Sequence, residues 1–147
     1  LGKFRTRGLR VGLGTDSPAS NSTMDFFDEM RVGLLIQRGM GAHEAFYSSE
    51  TFIKMATLDG ARALKLDHLI GTLEPGKRAD IIAVDLSQSH QAPTQNPYSA
   101  LVHTSNQEDV LMTMVNGRVL YDRGRFHTLD PESMRDRLEE MRVKVRD

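Results

Sequence analysis

An apolar run that stops on a carboxylate constrains this chain more than any other feature. Residues 11–16 read Val-Gly-Leu-Gly-Thr-Asp, and Ser17-Pro18-Ala19-Ser20-Asn21 follow before a strongly helical segment begins. Val11 and Leu13 predict a short buried strand over about residues 9–14, with Asp16 at its C-terminal lip. A strand, a loop and then a helix form the repeating unit of an α/β barrel, and that lip is where such barrels place chemical groups. A lone parallel strand cannot satisfy its own backbone hydrogen bonds. A strand this close to Leu1 is therefore expected to have its partners elsewhere, in a longer protein of which this is the C-terminal part.

Composition closes several other routes. With 39% hydrophobic and 27% charged residues the chain belongs with globular proteins and not with disordered or membrane-spanning ones. A formal net charge of −1 gives no electrostatic reason to expect nucleic acid or an anionic membrane as partner. Lys3, Arg5, Arg7 and Arg10 make a basic start, but no long apolar stretch follows, so a signal peptide is not expected. The absence of cysteine excludes disulfides and thiolate metal sites and fits a cytoplasmic protein.

After Asp16, Ser22 or Thr23 is the expected cap of a helix running to about Gln37, with Asp25 in its first turn. Phe27, Met30 and Leu34 fall at three- and four-residue spacing and give that helix one apolar stripe. A second helix is predicted at about 49–57, with Phe52, Met55 and Ala56 facing inward, and a third from Gly60 to Leu66. The small residues of the third suggest close packing against another element. The character changes at Gly71. Ile81-Ile82-Ala83-Val84 predicts a strand, and Leu101–Thr104 a further one. Val110–Val115 and Arg118–Tyr121 flank Asn116-Gly117, a type I′ hairpin signal, and Gly124 is read as the end of the second strand. Asp130 as cap and Pro131 at the first helical position open a terminal helix. Its apolar positions Met134, Leu138, Met141 and Val145 are expected to pack on their own domain. The resulting parse is 1–67, 68–128 and 129–147.

Few residues compete with Asp16 as carriers of chemistry. Ser17 lacks the Gly-x-Ser-x-Gly setting of a nucleophile elbow and reads as a loop hydroxyl. His43, His68, His90, His103 and His127 form no pair at metal-ligand spacing and read as structural or solvent-facing. His103, placed in a strand, is the one expected to be able to face inward. Gly12-Leu13-Gly14 lacks the third glycine of a dinucleotide fingerprint. Asp28 and Glu29 are adjacent, point to different sides of a helix and cannot work as a pair. Taken by itself, Asp16 reads either as a functional carboxylate or as a turn residue that accepts backbone N–H bonds.

The order of these pieces resembles the C-terminal part of the metal-dependent amidohydrolase superfamily. It is most similar to the branch holding the S-adenosylhomocysteine/5′-methylthioadenosine deaminases and the triazine chlorohydrolases. The matching stretches are Leu13–Ser17 with Ala19-Ser20-Asn21, then Phe27–Arg31, Ala56-Thr57, Gly60–Leu64, Ile70–Asp80 and Val115–Arg118. The run Gly71–Asp80 is distinctive of the superfamily. The resemblance implies an α/β architecture. Residues 1–67 would supply the last strand and helices of a (β/α)₈ TIM-type barrel. Residues 68–128 would form part of a small β-sandwich, and 129–147 a C-terminal helix.

The resemblance further implies that Asp16 is both metal ligand and catalytic base. The metal would be a divalent ion, with zinc favoured and iron or manganese as alternatives. Such an ion brings bound water near neutrality, and a carboxylate beside it can move that water's proton to a leaving nitrogen. The implied substrate is a small molecule, a nucleoside or heterocyclic amine, with deamination of an aminopurine nucleoside the expected activity. A chlorohydrolase or amide-hydrolysing relative, a non-catalytic assembly module and an independent β-rich binding domain are the rival readings. For the enzyme reading a homo-oligomer of the full-length protein is an open expectation, whereas the β-rich domain reading predicts a stable monomer from residues 68–128 alone. The 147 residues alone are expected to be inactive, because a catalytic zinc needs three or four ligands and Asp16 supplies one.

Overall fold

Three helices packed across one another set the core. The structure, a computed structural model, describes residues 1–40, 47–93 and 95–146, with side chains as far as Arg142. Two short helices, α1 (Gly2–Thr6) and α2 (Pro18–Asn21), precede α3 (Phe26–Gly39). The predicted stripe of α3 is buried at Phe27, Met30 and Leu34. Its cap is Asp25, not Ser22 or Thr23. One Asp25 oxygen accepts the Phe27 N–H at 2.8 Å, and the other accepts the Gln107 N–H at 3.0 Å. Aspartate caps as well as serine does, and the second bond ties the start of α3 to a loop 82 residues away.

Helix α4 (Ser49–Ala56) is capped by Ser48, whose hydroxyl accepts the Thr51 N–H at 3.2 Å, and it buries Phe52 and Met55 as expected. The Phe52 ring lies against α3 at Gly33. A Cβ at Gly33 would stand 2.7 Å from Phe52 Cε1, so α3 and α4 need a glycine there. Helix α5 (Leu58–Ala63) starts two residues before the predicted Gly60 and ends at Ala63, not Leu66.

Residues 9–14 form no strand, contrary to expectation. A strand needs a neighbour to complete its ladder, and no described residue supplies one. The stretch instead lies on α4 and α5. The Leu13 N–H donates to the Met55 carbonyl at 3.1 Å, and Gly12 meets Gly60 so closely that a Cβ would fall 2.8 Å from Gly60 Cα.

Strand β1 (Ile81–Val84) pairs antiparallel with β2 (Val110–Val115), Ile81 opposite Met114. Next come β3 (Arg118–Asp122) and β4 (Arg125–Phe126), giving a four-stranded sheet of order β1-β2-β3-β4. The hairpin turn has positive φ at both Asn116 (51°) and Gly117 (78°), as the type I′ reading requires. A second such turn at Arg123 and Gly124 leads into β4, which the sequence reading took as the end of the hairpin.

The strand expected at Leu101–Thr104 is a helix, α6 (Pro97–His103). The Asn96 carboxamide oxygen accepts the N–H groups of Tyr98 (3.0 Å) and Ser99 (3.3 Å), and Pro97 occupies the first helical position. His103 is therefore a helical residue. Val102 of α6 is fully buried with Leu34, Phe52 and Tyr47, and Val84 and Val110 of the sheet lean on the same cluster.

The terminal helix α7 (Pro131–Arg146) starts as predicted, with Asp130 accepting from the Glu132 N–H at 3.1 Å. Its apolar residues Met134, Leu138 and Met141 are exposed, so the expected packing of this stripe is not seen among the described residues. No helix among them is long and apolar enough to cross a membrane.

Candidate functional site

Asp16 stands on a turn anchored from both sides. Before it, the Leu13–Met55 bond and the Gly12–Gly60 contact hold the chain on α4 and α5. After it, α2 folds back, with the N–H groups of Ser20 and Asn21 donating to the Ser17 carbonyl at 3.1 and 3.0 Å. Asp16 itself is left-handed, φ 58°, a conformation that aspartate adopts more readily than most residues. Its Oδ1 accepts the Ser17 N–H at 2.8 Å, and its side chain is otherwise exposed to solvent. One carboxylate oxygen thus caps the turn, the turn-residue reading of the sequence.

Among the described residues no second acid or base is hydrogen-bonded to the Asp16 carboxylate. The Ser17 hydroxyl lies 3.4 Å from that of Ser20, a loop contact and not a nucleophile–base pair. Among the described residues no group of three or more His, Cys, Asp or Glu side chains could hold a metal ion. His43 lies outside the described residues. His68 and His127 are exposed. His90 points its Nε2 at the buried carboxylate of Asp109, 3.1 Å away, far along the chain from Asp16. His103 is half-buried, and burial, with the positive charges of Arg38 and Arg31, lowers its pKa.

One link beside this turn escaped the sequence reading. Asn21 uses its carboxamide nitrogen twice, donating to the Thr15 carbonyl at 2.9 Å and to Glu29 Oε1 on α3. Glu29 and Asp28 do point apart, as their adjacency demands, with Asp28 accepting from Arg31 Nη1 at 2.6 Å. The only local signal for the Asn21–Glu29 link was their eight-residue separation across a loop and one helical turn, which no periodicity encodes.

The amidohydrolase family model matches residues 3–120, well over half of the chain. The chain belongs to the amidohydrolase family. Its described residues form a mixed α/β structure with a four-stranded sheet. A curated 5-methylthioadenosine/S-adenosylhomocysteine deaminase of Syntrophus aciditrophicus (strain SB) is 36% identical over 147 residues, all of this chain and 33% of that protein. An adenosine deaminase from Xanthomonas campestris, solved with bound zinc, superposes with a TM-score of 0.90 at 28% identity. The match covers 97% of this chain and 32% of that one. The atrazine chlorohydrolase of Arthrobacter aurescens TC1, complexed with zinc, gives 0.83 at 27% identity over 92% of this chain and 30% of its own. The chain spans about a third of the length of the curated relatives it matches.

Proposed function

We propose that these residues belong to a cytoplasmic metal-dependent hydrolase that deaminates an adenosine derivative to the inosine derivative and ammonia. 5′-Methylthioadenosine and S-adenosylhomocysteine, the compounds in the names of the relatives, are the substrates to try first. In this reading residues 1–67 contribute to a (β/α)₈ barrel, 68–128 contribute to a β-sandwich, and 129–147 form a helix. A divalent ion, zinc by preference, would be held in part by Asp16. The fit is that of one ligand. Asp16 offers an exposed carboxylate with an unused oxygen, and the remaining ligands would come from outside the described residues.

The observation that carries the reading is the placement of Asp16, an exposed carboxylate on a turn fixed to α4 and α5 on one side and to α3 on the other. When bound, the ion would bring the attacking water near neutrality. Asp16 would then accept the proton of that water as its oxygen bonds to the amine-bearing carbon. The same proton would pass to the departing nitrogen, which leaves as ammonia. Proton transfer of this kind contributes about 10²–10⁴ in rate.

The test is Asp16→Asn in the complete polypeptide that carries this chain. The change keeps the shape and an oxygen for the Ser17 N–H but cannot accept the proton. Turnover of 5′-methylthioadenosine should fall about 10²–10⁴-fold, with bound metal reduced and the melting temperature near wild type. A wild-type kcat and metal content would reduce Asp16 to a turn cap. The likeness to atrazine chlorohydrolase favours a second reading, hydrolytic loss of chloride from a heterocycle, which chloride release would detect.

A further inference from the structure

We infer that Asn21 is a positioning residue for Asp16, aiming the carboxylate by clamping its turn to α3. The inference rests on the proposed role of Asp16. Both hydrogens of one carboxamide nitrogen are committed, one to the Thr15 carbonyl at 2.9 Å and one to the Glu29 carboxylate. Both partners are acceptors, so a carboxamide turned the other way would set oxygen against oxygen at each. The assignment of Nδ2 to this side follows from the partners themselves.

The Thr15 carbonyl belongs to the peptide plane that enters Asp16, and the orientation of that plane decides where the Asp16 side chain points. The other bonds of the turn, Thr15 Oγ1 to the Asp16 carbonyl (3.2 Å) and the Ser17 N–H to Asp16 Oδ1, are internal to it. They hold its shape but cannot fix it against the rest of the molecule. Asn21 can, because Glu29 lies on α3, whose opposite face is locked in the core by Phe27, Met30 and Leu34. The left-handed φ of Asp16 makes such a clamp useful, since a residue held in that region persists only where its surroundings over-determine it.

The experiment compares Asn21→Ala, Asn21→Asp and Asp16→Asn in the complete polypeptide loaded with cobalt(II). Four quantities are read: the visible cobalt spectrum, the metal dissociation constant, kcat and KM separately, and amide exchange of residues 15–22 in the metal-free protein. Groups that orient a metal ligand typically cost about 10–100-fold in affinity or activity when removed. Asn21→Ala should therefore weaken cobalt binding and lower kcat by about 10–100-fold, shift the spectrum, leave KM little changed and speed exchange across 15–22. Asn21→Asp keeps the shape but loses both donors, so it should behave as the alanine variant does. A wild-type spectrum and kcat with only a lower melting temperature would overturn the inference and leave Asn21 as loop glue. Undiminished cobalt binding by Asp16→Asn would instead sink the metal role of Asp16. Asn21 as the clamp of the turn would then be judged on exchange alone, and unchanged exchange in Asn21→Ala overturns it in every case.

Discussion

Every buried hydrophobic side chain among the described residues lies on α3, α4, α5 or α6, or on Tyr47 just before α4, and none lies on the four strands. The helices are held by shape. Phe52 fits against Gly33, its ring meets Tyr47 edge-on at 6.4 Å, and Leu34 and Val102 close the remaining space. The sheet is held by its ladder and its turns, with side chains half-exposed on both faces. The contrast teaches that the two regions should fail for different reasons. In the helices a change of volume should matter most, and in the sheet a change of backbone conformation.

The largest effect is expected at Phe52. Truncating a fully buried phenylalanine removes its transfer energy and leaves a cavity, so Phe52→Ala should cost about 3–5 kcal/mol in a denaturant titration. A loss under about 1 kcal/mol, the range of an ordinary substitution, would mean that the helical layer is not packed as described. Gly117→Val sharpens the other half of the comparison. A side chain at Gly117 meets nothing within 4 Å, so no clash is introduced and only the positive φ of 78° is opposed. The expected cost is about 1–3 kcal/mol, seen as a lower midpoint. The Gly117 N–H also donates to the Ala79 carbonyl at 3.0 Å, so faster amide exchange should reach the residues just before β1. No loss at all would show that the turn relaxes to another type.

The same contrast explains what could be read from the chain. The hairpin at 110–121 and the strand at 81–84 were legible because Asn116-Gly117 and a β-branched run are local signals. So was Asp130 as a cap. The predicted strand at 101–104 failed because its apolar pattern was read without Asn96-Pro97, the cap and first turn that make it a helix. The strand predicted at 9–14 failed because its apolar pattern implied a ladder that no described residue supplies. Asp16 was legible as a candidate, since its place after an apolar run is visible in one dimension. Asn21 with Glu29, and Asp25 with Gln107, were not, because those bonds exist only once α3 is packed.

The smallest expected effect lies at the joint of the two regions, in the pH dependence set by His103 on α6. Burial, and then the charges of Arg38 and Arg31, disfavour its protonated form in the folded protein. The unfolded chain has no such environment and takes up the proton near the ordinary imidazole value of about 6.5. Between that value and the lower folded pKa the unfolded state binds more protons, so stability falls as pH falls. The contribution of His103 is fully present above about pH 6.5 and is lost as acidification proceeds toward the folded pKa. His103→Gln removes the titration and keeps a polar side chain of similar reach. Denaturation midpoints of both proteins at pH 7.5, 6.5 and 5.5 (values on the order of one unit either side of the imidazole range) should diverge, with the wild type losing more stability on acidification. Subtracting one curve from the other removes the contribution of the other histidines. Parallel curves would mean that α6 does not keep His103 buried as described. The helical layer would then be looser at its edge than the burial of Val102, one residue earlier, implies.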